Sequence, residues 1–90
     1  MERSHVLAMS AYRQSVEAVA DSLGAQLSPR EEEIFSYLQR GYSNRQIALV
    51  LGTSPLTVRN QLARLFRKVG VSSRAELVGL AATCLRASGR

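Results

Sequence analysis

The 90-residue sequence has little of what most secreted proteins, metalloproteins and membrane proteins require. It contains one cysteine, one histidine and no tryptophan. A single cysteine excludes a disulfide framework within the chain, and Cys84 with the distant His5 gives too few ligands for a structural zinc site. The longest apolar run, residues 47–51, is far shorter than the roughly 20 residues of a membrane span. The N-terminus lacks a signal-peptide pattern, so we expect a reducing, cytoplasmic setting.

The sequence also lacks the residue sets that enzymes use. No histidine is placed to act as a base for a serine nucleophile, and no phosphate-binding loop of the Walker type occurs. The chain is long enough for only one small domain. We therefore predict that the protein is not an enzyme and that it needs no metal or cofactor.

The charge is of one sign over a long stretch. Twelve basic residues against seven acidic ones give a net charge of +5, and all the basic residues except Lys68 are arginines. No acidic residue occurs between Arg40 and Ala75, whereas seven basic residues do. Such a stretch within a folded domain indicates a surface for a polyanion, and arginine suits phosphate and guanine because its planar group donates two hydrogen bonds.

Helix signals recur along the chain and no strand-like alternation appears, so we predict an all-α fold. Residues 4–23 carry a helical apolar stripe and are followed by Gly24. Each of four further helices begins at a serine that can cap it. Those starts are Ser28-Pro29-Arg30-Glu31, Ser43-Asn44-Arg45-Gln46, Ser54-Pro55-Leu56-Thr57 and Ser73-Arg74-Ala75-Glu76. The predicted buried face of the last helix is Leu77, Val78, Leu80, Ala81 and Leu85.

The second and third of these four helices have the arrangement of a helix-turn-helix. They are predicted over Asn44–Leu51 and Pro55–Val69, with a short glycine-containing turn between them. The second helix of this motif enters the major groove with its N-terminal part near the bases. Arginine pairs best with guanine and asparagine with adenine, so Arg59 and Asn60 are the candidate base readers. The DNA contacts predicted from this arrangement are Asn44, Arg45, Arg59, Asn60, Ala63, Arg64, Arg67 and Lys68.

Residues 27–82 closely resemble the LuxR-type helix-turn-helix domain, also called the FixJ, NarL or GerE type. The matching motifs are Leu27-Ser28-Pro29-Arg30-Glu31, Gly41-Tyr42-Ser43-Asn44, Ile47-Ala48, Thr57-Val58-Arg59-Asn60, Lys68-Val69-Gly70-Val71 and Ser73-Arg74-Ala75-Glu76. The resemblance implies a four-helix DNA-binding domain of a bacterial transcription regulator acting at the nucleoid. The family's DNA-contacting positions add Ser54 and Thr57 to the predicted contacts. The resemblance also implies a homodimer that uses the fourth helix of the domain, where Leu77, Leu80 and Ala81 are candidate contacts. Gln61 departs from the family, which often has histidine there, and it has two possible roles: reading adenine or facing the protein.

The N-terminal helix lies outside the resemblance. We divide the chain into residues 1–26 (helix and connector), residues 27–87 (DNA-binding domain) and a frayed tail, residues 88–90. The first segment has three possible roles: dimerisation, packing on its own domain, or being the remnant of a larger protein. The candidate contacts for dimerisation are those of its apolar stripe, Met9, Tyr12, Val16, Val19 and Leu23.

We predict a sequence-specific transcription regulator that binds double-stranded DNA as a homodimer, with two recognition helices about 34 Å apart. RNA polymerase is a further candidate partner. One alternative is a domain like region 4 of a sigma factor, against which the extra link at residues 70–74 and the fourth helix argue. The other is a protein-interaction module in which DNA binding is vestigial.

Overall fold

The computed structural model describes the backbone of residues 2–88 and the side chains of residues 12–87. Within these residues the chain forms five helices and no strand, which confirms the all-α prediction. The helices are α1 (Glu2–Leu23), α2 (Pro29–Gln39), α3 (Asn44–Leu51), α4 (Pro55–Val69) and α5 (Arg74–Ser88). Of the tail predicted at 88–90, Ser88 ends α5, and the other two residues lie outside the described part.

The helices begin where the serine caps predict. At α2 the Glu31 N–H donates to Ser28 Oγ (3.1 Å), and the Ser28 N–H donates to Glu31 Oε1 (2.8 Å). Ser43 and Gln46 make the same reciprocal pair at α3. These bonds satisfy amide groups that a helix start leaves without intrahelical partners, so residues next to one another in sequence set these boundaries.

The helix-turn-helix has the bounds that the sequence predicts. Gly52 caps the C-terminal end of α3 with a φ of 68°, which lies in the left-handed region, and Gly70 caps that of α4 with a φ of 76°. Glycine adopts this conformation without the steric cost that a Cβ imposes. The chain therefore leaves α3 and enters α4 within three residues.

One core joins all five helices. Phe35 and Leu38 of α2, Ile47 of α3 and Leu65 of α4 are each almost completely buried. The inner side of α4 consists of residues spaced by four, three and four: Val58, Leu62, Leu65 and Val69. Because an α-helix has 3.6 residues per turn, this spacing turns one side of α4 inward and leaves the other side to solvent.

α1 belongs to this core, which argues against several of the predicted dimer contacts. Val16 and Val19 are buried in the same chain, where α1 packs chiefly on α5, and Leu77 and Ala81 lie buried on the α5 side. A side chain with so little exposure cannot contact a second chain while α1 keeps its place. The three remaining described positions of that prediction are half-buried or exposed: Tyr12, Leu23 and Leu80. The Met9 side chain lies outside the described residues.

The predicted face of α5 needs a correction. Val78 is exposed, whereas Leu77, Ala81 and Cys84 are the buried residues of this helix. Leu80 and Leu85 are only partly buried. The buried residues are spaced by four and three, as one helical face requires, and Val78 lies off that face. Cys84 is a small residue of the core.

Two observations concern membranes and metals. No helix in the described part of the chain is long and apolar enough to cross a membrane. Among the described residues, no group of three or more histidine, cysteine, aspartate or glutamate side chains could hold a metal ion.

Candidate nucleic-acid interface

The outward side of α4 is the centre of the candidate site. Asn60, Ala63 and Arg67 follow one another at helical spacing on the side opposite the core, and all three are exposed. Arg59 and Arg64 flank them and are exposed as well. Since α4 carries no acidic residue, its outer side is a cationic strip with one amide and one small residue.

The start of α4 is rigidly capped. Ser54 Oγ accepts from the Thr57 N–H (3.1 Å), and the two hydroxyl oxygens lie 3.0 Å apart. Pro55 occupies the first turn, where its missing N–H is not needed. The structure thus places Ser54 and Thr57 side by side at the N-terminal end of α4, next to the cationic strip.

The start of α3 lies next to that of α4. A shallow groove separates them, lined by Ser43, Asn44, Arg45, Ala48, Leu49, Thr53 and Pro55. Arg45 is exposed at its rim. Because the first amides of a helix favour an anion, a cationic rim at this position suits a phosphate group.

Arg74 holds the start of α3 in place. Its guanidinium donates to the Tyr42 carbonyl (2.8 Å) and to Asn44 Oδ1 (2.7 Å). Asn44 therefore uses its side-chain oxygen within the protein. Sequence reasoning counted Arg74 among the basic residues but gave it no role, since its partners lie about 30 residues away.

Lys68 is not part of the cationic strip, and its contacts within the domain argue against the prediction that it binds DNA. Its ammonium donates to Glu31 Oε1 (2.8 Å) and to the Gln26 carbonyl (2.9 Å), which joins the end of α4 to the start of α2. A lysine with two internal acceptors has little left to offer a phosphate. The sequence signal for this was the chemistry of Glu31, a carboxylate that needs a cation once it is buried.

The electrostatics of Glu31 follow from this contact. Burial by itself raises the pKa of the Glu31 carboxyl, but the hydrogen bond and charge of Lys68 and the Ser28 N–H lower it. The lowering contributions prevail, and the pKa of Glu31 ends below its ordinary value. Glu31 is therefore ionised at neutral pH although its side chain is only 7% exposed.

Of the two roles open for Gln61, the structure supports the one in which it faces the protein. Its side chain is partly buried, and its amide oxygen is completely buried with no hydrogen-bond partner among the described residues. Gln61 therefore does not belong to the exposed strip.

Arg40 is also engaged within the domain. Tyr37 and Tyr42 pack with their ring centroids 5.0 Å apart. The guanidinium carbon of Arg40 lies 5.1 Å from the centroid of the Tyr42 ring and 5.9 Å from that of Tyr37. A cation over aromatic faces is attracted to them, so this cluster stiffens the end of α2 beside the helix-turn-helix.

Comparison with known proteins places this geometry in a family. Residues 25–81 match the family described as bacterial regulatory proteins, LuxR family. The chain belongs to the LuxR family. Its helix-turn-helix is thus of the kind found in DNA-binding transcription regulators, and the family match decides against a sigma-factor domain.

The segments that match this LuxR-family domain are parts of larger proteins. The chain is 41% identical over 54 residues to the response regulator Rre1 of Synechocystis sp., a match that covers 60% of this chain and 23% of the relative. It is 44% identical over 50 residues to the probable HTH-type transcriptional regulator GfsR of Streptomyces halstedii, a match that covers 56% of this chain and 21% of the relative. For the probable transcriptional regulatory protein SgaR of Hyphomicrobium methylovorum the identity is 44% over 54 residues, covering 60% and 26%. The chain thus spans about a quarter of their length. No solved structure matched it.

Proposed function

We propose that this LuxR-family chain binds double-stranded DNA in a sequence-specific manner and regulates transcription, with α4 in the major groove. Arg59 and Asn60 read base edges, and Ala63 permits close approach to the bases. Arg64, Arg67 and Arg45 hold phosphates. Such a protein acts at the bacterial nucleoid, where RNA polymerase is its candidate partner.

The observation that carries this proposal is the uncovered cationic side of α4. Asn60, Ala63, Arg64 and Arg67 face solvent, and none of the described residues of the chain packs over them. A helix of 15 residues that projects an amide between arginines fits the wide major groove, which admits an α-helix.

We further propose that two copies bind together. A single recognition helix reads only a few base pairs, whereas a two-fold dimer places two such helices about 34 Å apart on one face of the duplex. Since Leu77 and Ala81 are buried within the chain, the exposed face of α5 with Val78 is the surface of that helix that remains for a partner copy.

The test is selection of binding sites from random duplex DNA, followed by titration of the selected duplex. We expect a consensus with two-fold symmetry, and two chains per duplex by sedimentation velocity. Arg59→Ala should weaken binding to the consensus by about 10- to 100-fold, equivalent to about 1–3 kcal/mol, and relax the preference at one base pair.

Arg30→Ala is the matched control, because Arg30 is an exposed arginine on α2, outside the proposed DNA and dimer surfaces, and its loss removes the same charge. We expect it to retain the affinity and the sequence preference. Equal losses on every DNA sequence in Arg59→Ala would reduce Arg59 to a phosphate contact. Failure to enrich any sequence would overturn specific recognition and return the protein-interaction module as the better interpretation.

A further inference from the structure

Leu56 is the largest apolar side chain on the outer side of α4, and nothing in the described part of the chain covers it. It is 63% exposed and lies in the first turn of the helix. The core residues of α4 begin only at Val58. Leu56 therefore contributes little to the stability of the domain.

Leu56 lies on the same side of α4 as the candidate reading residues. Residues 56, 60, 63 and 67 are spaced by four, three and four, which places them on one helical face. All four are exposed. The outer strip thus runs from an apolar side chain at the N-terminal end through Asn60 and Ala63 to Arg67.

The chemistry of leucine narrows what Leu56 can contact on DNA. It neither donates nor accepts a hydrogen bond, so it gains only by covering apolar atoms. On the base edges of the major groove, the C5-methyl group of thymine is the apolar group, while the others are donors and acceptors. A contact between the Leu56 side chain and a charged phosphate group would not stabilise the complex.

We propose that Leu56 is a specificity residue that covers the C5-methyl group of one thymine in the bound site. This inference rests on the proposed function, since it requires α4 in the major groove. Four residues along a helix span about 6 Å, and successive bases are about 3.4 Å apart. The thymine therefore lies within about two base-pair steps of the base read by Asn60.

The test removes one methyl group at a time from the DNA. In the selected duplex each thymine is replaced in turn by deoxyuridine, and binding is measured by fluorescence anisotropy for the wild type, Leu56→Ala and Val50→Ala. Val50 is the matched control because it is an apolar residue of α3 that is 51% exposed. Leu56→Ala should fold normally, since Leu56 is outside the core, and circular dichroism checks this.

We expect deoxyuridine at one position to weaken wild-type binding about fourfold, the effect of one methyl group that loses its apolar cover. Leu56→Ala should weaken binding to the thymine duplex by at least as much, and lose the response to deoxyuridine at that position only. Val50→Ala should respond like the wild type.

Two outcomes would overturn the assignment while leaving the proposed function intact. Equal responses of the wild type and Leu56→Ala to deoxyuridine at every position would show that Leu56 covers no thymine methyl group. A loss in Leu56→Ala that is the same on all DNA sequences would show that it packs on the sugar-phosphate backbone. If the wild type binds no duplex with preference, the proposed function itself falls.

Discussion

Removing the Lys68 ammonium separates a structural role from a DNA-binding role. In Lys68→Ala, the Glu31 carboxylate keeps its bond from the Ser28 N–H and loses its only cation within 4 Å among the described residues. Pairs exposed at a surface contribute about 0–1 kcal/mol, whereas breaking a fully buried pair costs about 3–5 kcal/mol. With Lys68 at 37% and Glu31 at 7% exposure, we expect a loss between these limits, about 1–2 kcal/mol.

The loss is measured by thermal unfolding at pH 7. For a domain of this size, 1 kcal/mol corresponds to about 4–8 °C in Tm, so Lys68→Ala should melt about 5–15 °C below the wild type. Arg67→Ala is the control at the neighbouring position, because Arg67 is exposed on the outer side of α4. It should melt within a few degrees of the wild type.

The pH dependence gives a second readout with a definite sign. The pKa of Glu31 is lower in the folded state than its ordinary value of about 4.5. The ionised carboxylate therefore stabilises the fold above that ordinary value, and this contribution is lost as the pH falls through the lower folded-state pKa. In Lys68→Ala the pKa of Glu31 rises, so the acid decline of stability should become shallower.

The salt dependence of DNA binding should change in Arg67→Ala and not in Lys68→Ala, the reverse of their effects on thermal stability. Each phosphate contact contributes about 0.9 to the slope of log K against log salt concentration. Arg67→Ala should therefore reduce the magnitude of the slope by about 0.9, and Lys68→Ala should leave it unchanged. A Lys68→Ala protein that melts like the wild type but binds DNA with a smaller slope would refute the ion-pair assignment and restore Lys68 as a phosphate contact.

Substitutions at three further positions test the fold around the site. Val19→Ala, which truncates a fully buried residue of α1, should cost about 2 kcal/mol in urea unfolding; an unchanged midpoint would show that α1 is not packed on the domain. Gln61→Met removes a buried oxygen without a partner and should raise the stability by about 1 kcal/mol, with unchanged DNA affinity. Gly52→Ala should cost about 1 kcal/mol or more because of the positive φ, whereas Gly52→Asn should cost less, as Asn tolerates that region.

Local sequence signals were enough for the helix-turn-helix itself. The bounds of α3 and α4 follow from Ser43, Ser54, Gly52 and Gly70, each of which acts on residues within four positions of itself. The outward side of α4 follows from the spacing of its apolar residues. Both depend on interactions that a single sequence displays directly, because caps and helical periodicity are properties of neighbouring residues.

Contacts between distant residues could not be predicted in the same way. The bond from Lys68 to Glu31 spans 37 residues, and that from Arg74 to Asn44 spans 30. A lysine on a basic helix has the same sequence signal whether it faces a phosphate or a carboxylate. The apolar stripe of α1 equally fits a second chain or α5, and only the packing of Val16 and Val19 decides between them.

These internal contacts limit the charge available for DNA. Among the seven basic residues between Arg40 and Ala75, Lys68 and Arg74 hold helices together, and Arg40 lies over two tyrosine rings. The remaining basic residues, all exposed, are Arg45, Arg59, Arg64 and Arg67. If Arg59 reads a base, the other three arginines hold about three phosphates per chain. If Arg59 also binds a phosphate, the number rises to about four. The salt slope of a bound dimer should then have a magnitude of about 5–7, and a steeper slope would require cations from outside this stretch.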